Sequence, residues 1–171
     1  MKNILFFGGA SLLSNIWARY WRTKYRVFIG INKRKITIEG TKSIDLQRLD
    51  NLKEILLNNK ITHIINCAGL TSVEECQENP ELAYSLNGDL PGYIAKITSD
   101  LNIKFIQIST DHLFDGEKKN YSEQSEPRPL NIYSKSKLDG EKKTLFNNSK
   151  ALIIRTNFFG NGPSYRHSFS D

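Results

Sequence analysis

Cysteine is scarce in this sequence, as are histidine and methionine: its 171 residues include two, three and one of them. Cys67 and Cys76 fall in no CxxC or Cys/His pattern, which argues against a disulfide framework or structural zinc and suits a reducing compartment. His63 and His167 lack metal-ligand spacing, and no metal is expected. No apolar run approaches the roughly 18 residues a membrane span needs. The opening "MKNILFFGG" enters a glycine turn directly, without the layout of a cleavable signal. A cytoplasmic protein without membrane contact is the expectation. Internal repeats and low-complexity tracts are also missing.

What is present is ordinary for a globular domain, with 39% hydrophobic and 25% charged residues, and the length suits one domain with a full core. The net charge of +6 raises the question of nucleic acid. The lysines are scattered, however, and the densest basic stretch is only "NKRK" at 32–35, so a solvated surface is expected and nucleic acid is not.

Short apolar runs alternate with longer amphipathic ones. Residues 3–7, 26–31, 63–68, 104–109 and 151–156 read as strands, with a weaker one at 42–46; runs this apolar suit a sheet covered on both faces. Helical patterns occupy roughly 11–24, 47–58, 80–101 and 133–147. Strict alternation gives an α/β fold, a doubly wound parallel sheet of Rossmann type flanked by helices on both faces. One long irregular stretch, 111–131, is rich in charge and turn residues, and a loop of that length is commonly functional or disordered.

The first strand runs into "FGGASLLS" (7–14) and a helix. Glycines there let backbone turn tightly beside a pyrophosphate, with the helix N-terminus facing the charge. Gly8 and Gly9 supply the turn, but the GxxGxxG spacing then reads Gly8, Ser11 and Ser14. Ser11 and Leu12 are candidate phosphate contacts; the alternative is a glycine turn with two serines capping a helix. After the second strand comes "GINKRK", with no acidic residue for a ribose 2′-hydroxyl, while Lys33 and Arg34 suit a 2′-phosphate. NADP(H) is expected over NAD(H), against the alternative of a solvated basic turn. Asp45 and Leu46, after the third strand, are candidates for the adenine edge, with Asp45 as a helix cap equally open. Cys67, Ala68 and Gly69 end the fourth strand, where small residues let a cofactor pass close to backbone.

Tyr133 and Lys137 stand four apart in "NIYSKSKLDGE", but so do Tyr20 and Lys24, and spacing cannot separate them. The surroundings can. "ISTDHLFDG" (108–116) places Ser109, Thr110 and Asp111 at a strand end ahead of Tyr133. Together with "INCAGLTSVEECQENPELAYSLN" (65–87), "PLNIYSKSKLDGE" (129–141) and "IIRTNFFG" (153–160), it makes the chain resemble the extended short-chain dehydrogenase/reductase family, most of all its dTDP-4-dehydrorhamnose reductase branch. The similar features span nearly the whole chain in fixed order.

The resemblance implies that Thr110, Tyr133 and Lys137 are catalytic, with Tyr133 and Lys137 also touching the coenzyme, and that Thr71, Val73, Asp111 and Phe158 face a nucleotide-sugar substrate. A phenol of pKa near 10 is a poor proton shuttle at neutral pH, and an ammonium one helical turn away, with the helix dipole, is expected to favour its phenolate. Dehydratases of the superfamily resemble one another in an Asp-Glu pair after the threonine; Asp111-His112 disfavours dehydration. Family members run on into a smaller substrate domain, so residues 1–171 are expected to be the coenzyme-binding domain, the substrate domain being missing from this chain. A homodimer is compatible with the resemblance. Alternatives are a nucleotide-sugar epimerase and a non-catalytic nucleotide-binding or regulatory subunit.

Overall fold

The computed structural model describes residues 1–157. Its strands are β1 (Asn3–Phe7), β2 (Arg26–Ile31), β3 (Lys42–Asp45), β4 (His63–Asn66), β5 (Lys104–Ser109) and β6 (Leu152–Arg155). The helices are α1 (Leu12–Trp21), α2 (Leu52–Asn58), α3 (Val73–Glu78), α4 (Pro80–Tyr84), α5 (Leu90–Asp100) and α6 (Ile132–Asn147). The sheet runs β3-β2-β1-β4-β5-β6, with β1 parallel to both β2 and β4 and β2 parallel to β3. This is the doubly wound Rossmann-type order anticipated from the alternation, and its direction reverses between β1 and β4, the place where such sheets bind ligands beyond the strands' carboxyl ends. Among the described residues no helix is long and apolar enough to cross a membrane.

The described residues group into two compact units. The first comprises Met1–Ala68 and Leu101–Ile106. All five residues of β1 are buried: Ile4 to Phe7 are apolar, as a strand flanked by two others and covered on both faces requires, and Asn3 donates its side-chain amide to the Asn59 carbonyl at 2.9 Å. Helix α1 starts at Ser11, whose hydroxyl accepts from the Ser14 amide, and lays Ala18 inward without exposure. Helix α2 buries Leu52 and Leu56, four apart on one face; burying such side chains contributes about 1.5–3 kcal/mol each. The helical pattern over 47–58 starts late because Asp45 and Gln47 form a turn instead.

The second unit comprises Gly69–Asp100 and Gln107–Asn157. The expected helix over 80–101 is broken into α4, a π-helical turn at Ser85–Asp89, and α5. Pro91 explains the break. It has no N–H to offer the carbonyl four residues back, that of Asn87, and its ring would strike it; widening to a π turn relieves both. Gly140 makes room for the displaced group: a Cβ there would lie 2.0 Å from the Asn87 carbonyl oxygen. Helix α3 was not anticipated, since "VEECQE" offers only Cys76 as a buried residue.

Helix α6 buries Ser134, Ser136, Lys137, Gly140, Glu141 and Thr144, an inner face with no large apolar side chain. It is therefore held by polar contacts rather than by an apolar stripe. Its start is fixed by a reciprocal capping box between Asn131 and Ser134, which satisfies two end amides at once. At the other end Asn148 donates to the Thr98 hydroxyl of α5 at 3.2 Å.

Candidate active site

In the first unit the turn after β1 is built around Gly8, whose φ is +71°. A Cβ at Gly8 would sit 2.6 Å from the Ala68 amide nitrogen and Cα, so only glycine lets this turn approach the end of β4. Ala68 is itself fixed by its amide donating to the buried Asn66 side chain at 3.1 Å. Ser11 Oγ accepts from the Ser14 amide at 3.1 Å and donates to Ser14 Oγ at 2.9 Å. Both hydroxyls thus serve the helix start, the capping alternative of the sequence reading. The amides of Leu12 and Leu13, the first two helical residues, have no carbonyl four residues back within the helix, and such amides are phosphate donors.

The remaining dinucleotide candidates of this unit divide. Lys33 and Arg34 are exposed in the turn after β2. Asp45 Oδ1 accepts from the Gln47 amide at 2.9 Å, and α2 begins only at Leu52, so Asp45 caps a turn and no helix. Leu46 is buried, 5% exposed, with its side chain filling the space beside Gly30. Cys67 is half-buried.

In the second unit β5, the 3₁₀ turn Asp111–Leu113 and α6 bring Thr110, Tyr133 and Lys137 together. Thr110 is 4% exposed; its Oγ1 accepts from the His112 amide at 3.2 Å. Burial is the largest influence on Tyr133 and pushes its phenol above the ordinary value of 10.0, while a hydrogen bond with Thr110 pulls the other way. The His112 ring meets the Tyr133 ring edge-on, centroids 5.8 Å apart. Lys137, 8% exposed, donates from Nζ to the Ile108 carbonyl at 2.7 Å. The net direction of the Tyr133 shift is the reverse of the lowered phenol that the resemblance leads one to expect, because burial outweighs the influence that favours the phenolate.

Substrate-side candidates are more open. Asp111 is exposed and accepts at Oδ2 from Asn157 at 2.7 Å. Thr71 is exposed and Val73 half-buried at the first position of α3. Phe158 lies outside the described residues.

Sequence reasoning missed the residue that organises this unit. Asn87, 1% exposed, accepts from the Leu70 amide and donates to the Leu70 carbonyl, both at 2.9 Å. It also donates to Ser136 Oγ at 3.0 Å, and Ser136 in turn donates to the Tyr133 carbonyl at 2.8 Å. One amide side chain therefore ties the segment after Gly69 to the helix carrying Tyr133. The only signal for it was Pro91, four residues on. The 111–131 stretch is also folded: Phe114 stacks on Tyr121 with centroids 4.4 Å apart, and the Arg155 guanidinium lies 5.5 Å from the Phe114 ring. Tyr121 Oη donates to Asp115 at 2.6 Å, which is the main reason that carboxyl stands below its usual range. Glu141, buried in α6, holds Arg155 through Nε at 3.0 Å and Nη2 at 2.7 Å.

The first unit's helix-start amides and exposed Lys33 and Arg34 suit the phosphates of a nicotinamide dinucleotide. In the second unit, Ser109 beside Thr110 is 3% exposed and its hydroxyl has no hydrogen-bond partner, an orphan of the kind a ligand satisfies.

Sheet order, glycine turn and the Thr110, Tyr133, Lys137 cluster define the short-chain dehydrogenase/reductase class of Rossmann-type folds. Within it, the chain belongs to the family described as the RmlD substrate binding domain, which matches residues 1–169. A probable low-salt glycan biosynthesis reductase of Haloferax volcanii is 35% identical over 154 residues, covering 88% of this chain and 51% of the relative. The methionine adenosyltransferase 2 subunit beta of Mus musculus is 30% identical over 156 residues, covering 90% of this chain and 46% of the relative. Among solved structures, a hypothetical dTDP-4-dehydrorhamnose reductase from Sulfolobus tokodaii superposes with a TM-score of 0.81 at 32% identity, over 95% of this chain and 58% of that one. The chain thus spans about half the length of the curated relatives it matches.

Proposed function

We propose that the protein of which this chain forms the coenzyme-binding part reduces the keto group of a nucleotide-linked 4-keto-6-deoxy sugar, with NADPH preferred over NADH. The observation that carries the reading is the half-buried phenol of Tyr133 set beside Thr110 on a helix whose register is fixed by Lys137. The family match and the reductases among the relatives support it.

Tyr133 Oη, protonated throughout the neutral range, gives its proton to the substrate's carbonyl oxygen, completing an alcohol. Thr110, steadied by the His112 amide, aligns the same oxygen and stabilises the charge that develops on it. Lys137 anchors α6 to β5 through the Ile108 carbonyl and so sets where Tyr133 stands, and its ammonium would hold the nicotinamide ribose. The hydride that reduces the carbonyl carbon is the contribution of a bound reduced nicotinamide. The Leu12 and Leu13 amides would hold its pyrophosphate, and Lys33 and Arg34 the 2′-phosphate.

The test is to mix the protein with NADPH and a dTDP-4-dehydro-6-deoxy sugar and follow coenzyme absorbance. Calorimetry with both coenzymes, using Arg34→Ala as control, tests the preference: equal affinities that the substitution leaves alone would remove it.

A second reading, a nucleotide-binding subunit that serves a partner enzyme, is favoured by the similarity to methionine adenosyltransferase 2 subunit beta and by the Ser11–Ser14 pair in place of two loop glycines. Coenzyme binding without turnover on any keto-sugar supports that reading instead.

A further inference from the structure

The tyrosine–lysine pair that the active-site reading leaves unused, Tyr20 and Lys24, lines a cavity of about 210 Å³ in the first unit. Its buried end is aliphatic: Ile4 and Ile65 are 3% and 1% exposed and Ile106 lies beside them. Trp21 and Tyr25 supply aromatic wall, their rings edge to face at 6.1 Å. The two charged groups lining it, Lys2 and Lys24, are both cationic, and His63 stands with them. Lys24 Nζ sits 5.5 Å from the Tyr20 ring centre and Lys2 Nζ 5.8 Å from that of Tyr25.

The bias extends through the surrounding chain. Residues 1–4, 12–26, 59–65 and 101–106 contain Lys2, Arg19, Arg22, Lys24, Arg26, Lys60 and Lys104 and no acidic residue, although Arg22 pairs with Glu39 at 3.8 Å. Lys104 acts on the cavity too: burial, then Lys2, then Lys104 lower the His63 pKa, keeping the imidazole neutral beside the ammonium groups. A concentration of one sign of charge over a low-dielectric floor attracts counter-ions and repels itself while empty. The cavity also lies at the amino ends of the strands, with Lys2 before β1, Tyr25 before β2 and His63 opening β4. The Gly8 turn and Ala68 follow the carboxyl ends of β1 and β4, so the coenzyme residues of this unit lie at the opposite end.

We propose that this cavity binds a small organic anion built on one planar ring, an arylacetate or similar carboxylate. The volume decides against anything larger: pockets for drug-sized ligands run to roughly 300–1,000 Å³, and a nucleotide sugar or dinucleotide would exceed this one. The ring enters among Trp21, Tyr25 and the isoleucines, and the carboxylate meets Lys2, Lys24 and the His63 imidazole. The site is independent of the proposed reductase activity.

Phenylacetate is the probe, followed by NMR of the full chain through the Trp21 indole N–H and the His63 ring. Saturable shifts are expected, with inorganic phosphate (charge without ring) and toluene (ring without charge) each binding about tenfold or more weakly, and with Lys24→Glu and Lys2→Glu each weakening phenylacetate about tenfold. NADPH affinity should stay unchanged in both variants, which also reports that they fold; Lys24→Gln at unchanged melting temperature serves if a charge reversal unfolds the chain. No saturable shift, undiminished binding in the lysine variants, or phosphate binding as tightly as phenylacetate would overturn the proposal.

Discussion

The ammonium of Lys137 donates to the main-chain carbonyl of Ile108 at 2.7 Å, so the lysine four residues after Tyr133 is first an anchor between α6 and β5. Replacing it with methionine should leave that carbonyl without its charged donor inside the protein. The expected cost is about 1–3 kcal/mol, read as a lower urea midpoint at unchanged slope. An unchanged midpoint would mean that the contact does not hold the helix.

Burial raises the Tyr133 pKa and Thr110 opposes it. A carbon-13 label at the tyrosine Cζ should therefore show Tyr133 titrating above 10 in the coenzyme-free protein, and Thr110→Val should move it higher still. The sign for stability follows from linkage: a group whose folded pKa is raised contributes fully below its ordinary value near 10, and that contribution is lost as pH climbs through the folded value. Tyr133→Phe should flatten this alkaline loss. Titration at or below 10 would contradict the account.

Asn87 satisfies both backbone groups of Leu70 and reaches Ser136. Asn87→Ala leaves them unpaired in a half-buried place, for a loss of about 1–3 kcal/mol visible in thermal melts. Asn87→Asp keeps the acceptor but sets a buried carboxylate oxygen against the Leu70 carbonyl, and should destabilise at least as much.

Glu141 and Arg155 pair bidentately, with side chains 5% and 24% exposed. Removing one partner of such a pair typically costs about 3–5 kcal/mol, whereas replacing both with apolar residues costs far less. Glu141→Ala should therefore destabilise more than the double change Glu141→Leu with Arg155→Met. The reverse order would show that the pair's worth lies in attraction rather than in avoiding a buried unpaired charge.

The strands were legible because β1, β2 and β5 are apolar runs of a length only a covered sheet explains, and the shorter β3, β4 and β6 lay where the runs indicated. Helix ends were less so: Asp45 turns on the Gln47 amide, and Pro91 forces the π turn. At the site, Thr110, Tyr133 and Lys137 were visible as residue types in order. The Ile108 carbonyl was not, since backbone acceptors carry no sequence mark. Nor was the fold of 111–131, where Phe114, Tyr121 and Asp115 pack against one another without periodicity. Asn87 looked like any asparagine in a helix, and only its position before Pro91 set it apart.

Single-turnover oxidation of NADPH by a 4-keto-6-deoxy nucleotide sugar, measured for the protein and for Tyr133→Phe with coenzyme affinity determined in parallel, tests the central claim most directly. The account expects the phenylalanine variant to bind NADPH as before and to lose about 100-fold or more of the hydride-transfer rate, the scale of a missing general acid. Equal rates in the two proteins would contradict it.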